Sequence, residues 1–170
     1  MEYKELIRER FSCRKFKDTP VEPEKLAAIL ADGLTAPTAK NFQPYKIWVM
    51  QSEAAVDAVN SVTRCGYGAP MFLVVGADRS TAWVREFDNA NFADVDASIV
   101  TTQLMLSIHD HGLKSVWVGW FDAPKLQEIC PEMAGYDLVA ILPVGYGADD
   151  AVPSPRHTES KPEEELIAYL

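Results

Sequence analysis

Tyr3, Leu6, Ile7 and Phe11 recur at helical spacing, with Glu and Arg between them. That period predicts a first amphipathic helix ending near Phe11. A polar, basic connector runs from Ser12 to Asp18. Glu22-Pro23-Glu24 reads as the next helix start, because proline suits the first helical position and carboxylates favour the positive end of the helix dipole. Leu26, Ile29, Leu30 and Leu34 mark its expected buried stripe, and Pro37 stops it.

Thr38 to Pro44 reads as a loop and Tyr45 to Met50 as a strand, after which Ser52 caps a third helix that closes at Gly66. Met71 to Ala77 is a nearly continuous apolar run, the pattern of a strand buried on both faces. Asp78 to Asp94 has no clear period. The helix predicted from Asp96 to His111 carries Ala97, Ile99, Val100, Leu104, Met105, Leu106 and Ile108 around most of its circumference. Such a helix must be covered on nearly all sides, by a central position or by a dimer interface. Gly112 ends it, with His109 and His111 in the last turn.

Ser115 to Trp120 then predicts a strand, Ala123-Pro124 a short helix, and Leu138 to Tyr146 the last clear strand, with Pro143 pointing to an edge or an end of pairing. The segment after Gly147 is polar and interrupted by prolines. Loosely alternating helices and strands predict an α+β or α/β layered architecture. The expected organisation is one domain over residues 1–170, with 147–170 as an extended C-terminal tail.

Bulk properties narrow the function. A net charge of -9 argues against nonspecific nucleic-acid binding and against electrostatic attachment to anionic membranes. An acidic protein that holds a phosphate must gather its few cations locally. Cys13, Cys65 and Cys130 are far apart, with no CxxC pair or zinc spacing, so a reduced thiol set and no metal site are expected. No leader-like or bilayer-length apolar run is found, which makes the cytoplasm the expected compartment.

Two clusters carry candidate chemistry. Arg10-Phe11-Ser12-Cys13-Arg14 puts two guanidiniums and a hydroxyl where a helix gives way to a connector, a donor set suited to phosphate. A solvated helix end has the same composition. Ala36-Pro37-Thr38-Ala39-Lys40-Asn41-Phe42-Gln43-Pro44-Tyr45 joins helix to strand with small residues and two amides. Those features let a flat heterocycle approach and match its edge, though an ordinary turn is built the same way.

Together the clusters resemble the nitroreductase family of flavoproteins: Arg-x-Ser-x-Arg-x-Phe from Arg10 to Phe16, and Ala-Pro-Thr-x-x-Asn-x-Gln-Pro-Tyr from Ala36 to Tyr45. Ala69-Pro70, the apolar helix ending at Gly112, Trp117 to Asp122, Leu142 to Tyr146 and Lys161 to Leu166 continue the resemblance in order. It implies a three-layer α/β/α-type α+β sandwich with a central, mostly antiparallel sheet, in a homodimer that shares two FMN sites. Arg10, Ser12 and Arg14 would hold the phosphate and ribityl chain, with Phe11 contributing backbone. Pro37, Thr38, Ala39 and Asn41 would reach the flavin from the other subunit. Gly119 and Trp120 would lie beside the isoalloxazine, and Lys40, Phe42 and Trp120 would line the substrate side.

Ser160 stands where the family often has arginine, so Lys161, or else Arg156, is expected to complete the phosphate site. The implied activity is ping-pong transfer from NAD(P)H to a small-molecule acceptor such as a nitroaromatic or quinone. FMN carries that chemistry, so no catalytic side chain is expected. The same fold also hosts dehalogenation, and an FMN carrier with Cys13 as a thiol sensor is a further alternative. Trp83, Phe87 and Phe92 would form a reduced lid over the site, or pack into the core.

Overall fold

A computed structural model describes residues 2–170. Its sheet contains β1 (Tyr45–Met50), β2 (Met71–Ala77), β3 (Lys114–Ser115) and β4 (Asp137–Gly145). They pair antiparallel throughout, in the order β1-β2-β4-β3. The helices are α1 (Tyr3–Glu9), α2 (Pro23–Gly33), α3 (Glu53–Val62), α4 (Ala93–Asp110), α5 (Ala123–Ile129) and α6 (Glu163–Leu166).

The period-2 alternation of strand side chains divides the core into two layers. Phe72, Val74 and Ile141 point to one face of the sheet, where Val59, Val62 and Leu126 bring in α3 and α5. Leu73, Val75, Leu142 and Val144 point to the other, where Ile29, Val100, Leu104 and Ile108 bring in α2 and α4. The result is the α/β/α sandwich with an antiparallel sheet. β2 is buried at every residue because it is an inner strand covered from both sides. Gly33 allows the tight approach of α2 to α4, since a Cβ there would lie 2.4 Å from Leu104 Cδ2. Gly112, at φ 77°, turns the chain out of α4 as its sequence position predicted.

Several boundaries depart from the sequence reading. α1 stops at Glu9, and none of its residues is buried. Leu34 lies just past α2 and is 59% exposed, so it leaves the expected stripe. α3 closes at Val62 rather than Gly66, because Thr63 becomes extended and its hydroxyl donates to Trp120 O at 2.7 Å.

The strand predicted over Ser115–Trp120 is broken. Pairing stops at Ser115 and resumes as one bridge between Val118 and Ile141. Pro143 lies inside the β2–β4 ladder, opposite Phe72. On the other side of β4, Ile141 exchanges both backbone bonds with Val118. Two residues on, Pro143 turns its donor-less nitrogen to that same side, where β3 is interrupted. The end of pairing signalled by the proline is real, but it belongs to β3 and not to the neighbour on the β2 side.

Residues 147–170 contain a 3-10 turn at Pro155–Thr158 and the short α6, and are mostly exposed. Among the described residues no helix is long and apolar enough to cross a membrane, and no cluster of His, Cys, Asp and Glu could hold a metal ion.

Candidate functional site

The first candidate cluster assembles at the C-terminal end of α4. Cys13 N donates to Ser115 O at 3.1 Å, and Ser12 bridges Ser115 in parallel, which docks the basic connector beside β3. Arg10 follows α1 and has its NH1 nitrogen buried without a hydrogen-bond partner. Lys114 Nζ sits 3.2 Å from His109 Nδ1 and 5.1 Å from the centre of the Phe11 ring. Burial pushes the Lys114 pKa down. Burial, and then the Lys114 charge, push that of His109 down. Arg14 is exposed, its guanidinium donating to Ser12 O at 3.2 Å.

Cys13 is fully buried and its thiol donates to Lys15 O, so it is a packed small residue and not an accessible thiol sensor. His109 and Lys114 lie outside the Arg-x-Ser-x-Arg segment. Their proximity to it comes from where α4 ends and β3 begins, which no local motif encodes.

The second cluster is a strained loop at the opposite end of α4. Lys40, Asn41 and Gln43 have φ of 52°, 57° and 53°. A left-handed backbone is costly for residues other than glycine and persists only where the surroundings enforce it. Three contacts enforce it here. Asp96, 1% exposed in the first turn of α4, accepts from Ala39 N at 3.0 Å. Thr38 Oγ1 accepts from Gln43 N at 3.1 Å, and Asn41 Oδ1 accepts from Gln43 Nε2 at 3.1 Å. Pro37, Lys40, Asn41 and Phe42 are exposed, while Thr38 and Ala39 are half-buried. Asp96 is the element that sequence reading missed.

Gly119 and Trp120 follow the Val118–Ile141 bridge. A Cβ at Gly119 would meet nothing within 4 Å, so this backbone faces open space. With Val62, Phe121 and Asp122 the pair lines a cavity of about 430 Å³. Trp120 is 61% exposed, so it is not a core side chain. Its ring is stacked by the Arg64 guanidinium at 4.8 Å, a contact not foreseen from the sequence. In the 78–94 segment Trp83 packs on Phe92 at 4.9 Å, whereas Phe87 is exposed at the tip of a turn closed by the Val84–Asn91 bridge. The three aromatics do not form one lid in the single chain.

The tail returns toward the first cluster. His157 lies edge-on to Phe11 at 6.5 Å, which places the Pro155–Thr158 turn, and Arg156 within it, beside the end of α1. Lys161, just before α6, instead pairs with Glu165 of that helix at 3.3 Å.

One chain does not bring the two clusters together. Asp96 and His109 are separated by about 20 Å of helix. The outward face of α4 exposes Val95 and Ile99 and, with Pro37, Thr102 and Leu106, forms an apolar groove of about 720 Å³. Within one chain the sheet, α2 and α1 cover α4, and this one face of the helix is left open.

This architecture is shared by solved proteins. A nitroreductase family protein from Clostridium difficile 630 is 33% identical, with 99% of this chain and 98% of that chain covered at a TM-score of 0.91. A chain from Exiguobacterium sibiricum, solved in complex with FMN, superposes at a TM-score of 0.85 over 100% of this chain and 98% of its own, with 18% identity. In sequence, an NADH dehydrogenase from Thermus thermophilus is 25% identical, covering 86% of this chain and 87% of that protein. The nitroreductase family itself matches residues 7–66 and 64–146. The chain belongs to the nitroreductase family.

Proposed function

We propose that the protein is an FMN-dependent NAD(P)H oxidoreductase, built as a homodimer whose two sites each draw on both subunits. One observation carries this reading: the phosphate-type donors and the amide-bearing loop sit at opposite ends of α4, joined by an exposed apolar face. Two copies pairing antiparallel along that face would set the loop of one against the donors of the other. Burying such a groove is favourable by roughly 25 cal/mol per Å² of apolar surface. The unburied Tyr3 and Ile7 of α1 add to the surface available for association.

The residues present fit FMN. A buried guanidinium nitrogen at Arg10 lacks an acceptor, and a phosphate would supply one. Ser12 and Arg14 add donors, while Phe11 contributes backbone. Gly119 leaves the space a ring needs, and its backbone amide is the donor assigned to negative charge on that ring. From the second subunit Pro37, Thr38, Ala39 and Asn41 would complete the enclosure. Lys40, Phe42 and Trp120 would line the acceptor side.

Arg156 replaces Lys161 as the preferred tail cation, because the Pro155–Thr158 turn lies at Phe11 while Lys161 is paired with Glu165. When bound, FMN supplies the two-electron exchange that lets NAD(P)H and a nitroaromatic or quinone acceptor react in turn, by a ping-pong scheme. The chain then acts as one domain over 1–170 with the 147–170 tail closing on its site. Three free cysteines accord with a reducing, cytoplasmic setting.

An anaerobic visible spectrum is the test. A yellow protein bleached by NADH or NADPH and restored by a nitroaromatic or quinone is the expected result. A colourless protein that takes up no FMN, or a monomer that holds FMN stoichiometrically, overturns the reading.

A further inference from the structure

Lysine offers only donors, so the 3.2 Å contact of Lys114 Nζ with His109 Nδ1 makes Nδ1 the acceptor. The remaining proton of the neutral ring then sits on Nε2. That nitrogen is buried and unpartnered, in a side chain only 5% exposed. Arg10, whose charge acts on the same imidazole, has an unpartnered buried NH1 of its own. Two orphaned donors beside a half-buried ammonium constitute a costly arrangement for an isolated chain, since each unmet donor forfeits its hydration. Glu9 opposes both His109 and Lys114 in charge but is exposed on α1. What the cluster lacks is a compact anion with several acceptor oxygens.

We propose that His109 and Lys114 are phosphate-binding residues of the flavin site, joining Arg10 through the end of α4 and the start of β3. His109 donates from Nε2, while Lys114 fixes its tautomer and supplies charge. The inference rests on the FMN reading above and deepens it. It also explains how an acidic chain with Ser160 in its tail, and with Lys161 committed to Glu165, gathers enough positive charge for a phosphate.

Binding to the dimeric apoprotein tests it, with FMN and riboflavin as paired probes that differ in the phosphate alone. Affinities come from quenching of flavin fluorescence. His109→Leu and Lys114→Met should each weaken FMN about 10-fold or more, the scale of one charge-assisted hydrogen bond. Riboflavin affinity should change less than about twofold by the same logic. Inorganic phosphate should compete with FMN less well in the variants than in the wild type. Lys114 is half-buried, so Lys114→Met carries the test if His109→Leu does not fold. Equal losses for both flavins would mean a packing role and would overturn the proposal, as would unchanged FMN affinity. Wild-type protein that binds neither flavin would instead overturn the FMN reading beneath it.

Discussion

The two ends of α4 present opposite solutions to holding a ligand. At its C-terminal end the chain gathers side-chain charge: Arg10, His109 and Lys114 converge, and two of their donors are buried without acceptors. At its N-terminal end it shapes backbone: Asp96, a buried carboxylate, takes the amide of Ala39 and holds a loop with three left-handed residues. The first end is short of a partner, whereas the second satisfies itself by internal bonds and presents a surface. A donor cluster that wants an anion and a preformed loop that wants a flat neighbour are complementary, but the helix holds them about 20 Å apart within one chain. The separation therefore argues for assembly more strongly than either end does alone.

The most severe way to break this complementarity is to keep both ends and remove what joins them. Ile99→Asp puts a carboxylate on the exposed apolar face of α4, where association would bury it unpaired at a cost of about 3 kcal/mol or more. Light scattering should show monomers, and the protein should purify without flavin colour. A variant that stays dimeric and yellow would move the interface elsewhere.

Next in size, Arg10→Ala should weaken FMN about 10- to 100-fold while leaving the dimer intact, as isothermal titration would show. A weaker effect is expected from the other end. Asp96→Ala strands the Ala39 amide and should cost about 1–3 kcal/mol in chemical denaturation, with Asp96→Asn recovering much of it because Oδ1 remains an acceptor. If Asp96→Ala weakened FMN more than Arg10→Ala did, the assignment of charge to one end and shape to the other would be reversed.

The smallest expected effect is on pH. His109 is held below its ordinary value of 6.5 by burial and by Lys114. The unfolded chain thus takes up its proton first on acidification. Its contribution to stability is complete above the unfolded value and is lost as pH falls through 6.5 toward the folded one. Apoprotein melting temperatures should drop across that window, and the drop should be shallower in His109→Leu. An equal slope in both proteins would assign the acid sensitivity to other groups.

What the sequence disclosed follows the same division between local and non-local causes. β1 and β2 match their predicted spans because each has clear ends, β2 being also a continuous apolar run, and the motif residues around Arg10 and Ala39 lie in the connectors expected of them. Thr63 could not be read as a helix stop, since its decisive partner is the carbonyl of Trp120 in a distant segment. His109 looked like a cation at a helix end, but its role comes from Lys114 across Gly112 and from Arg10 across the fold. Asp96 looked like the start of a helix, and its function is to bind a backbone amide 57 residues away in sequence. Over-apolar patterning on α4 was legible, but one chain alone does not reveal what covers its outer side.

Pro143 has a consequence for motion. Because it has no hydrogen to offer, β3 and β4 cannot zip into a full ladder around Val116 and Trp117. The segment bearing Gly119 and Trp120 is instead suspended from three attachments: Val118 to Ile141, Trp120 O to Thr63, and Asp122 N to Val62 at 3.0 Å. It behaves as a small bridge slung between the sheet and the end of α3. A shift of either support is passed directly to the place where a ring would rest, and deuterium uptake along this bridge should slow once that ring is in place.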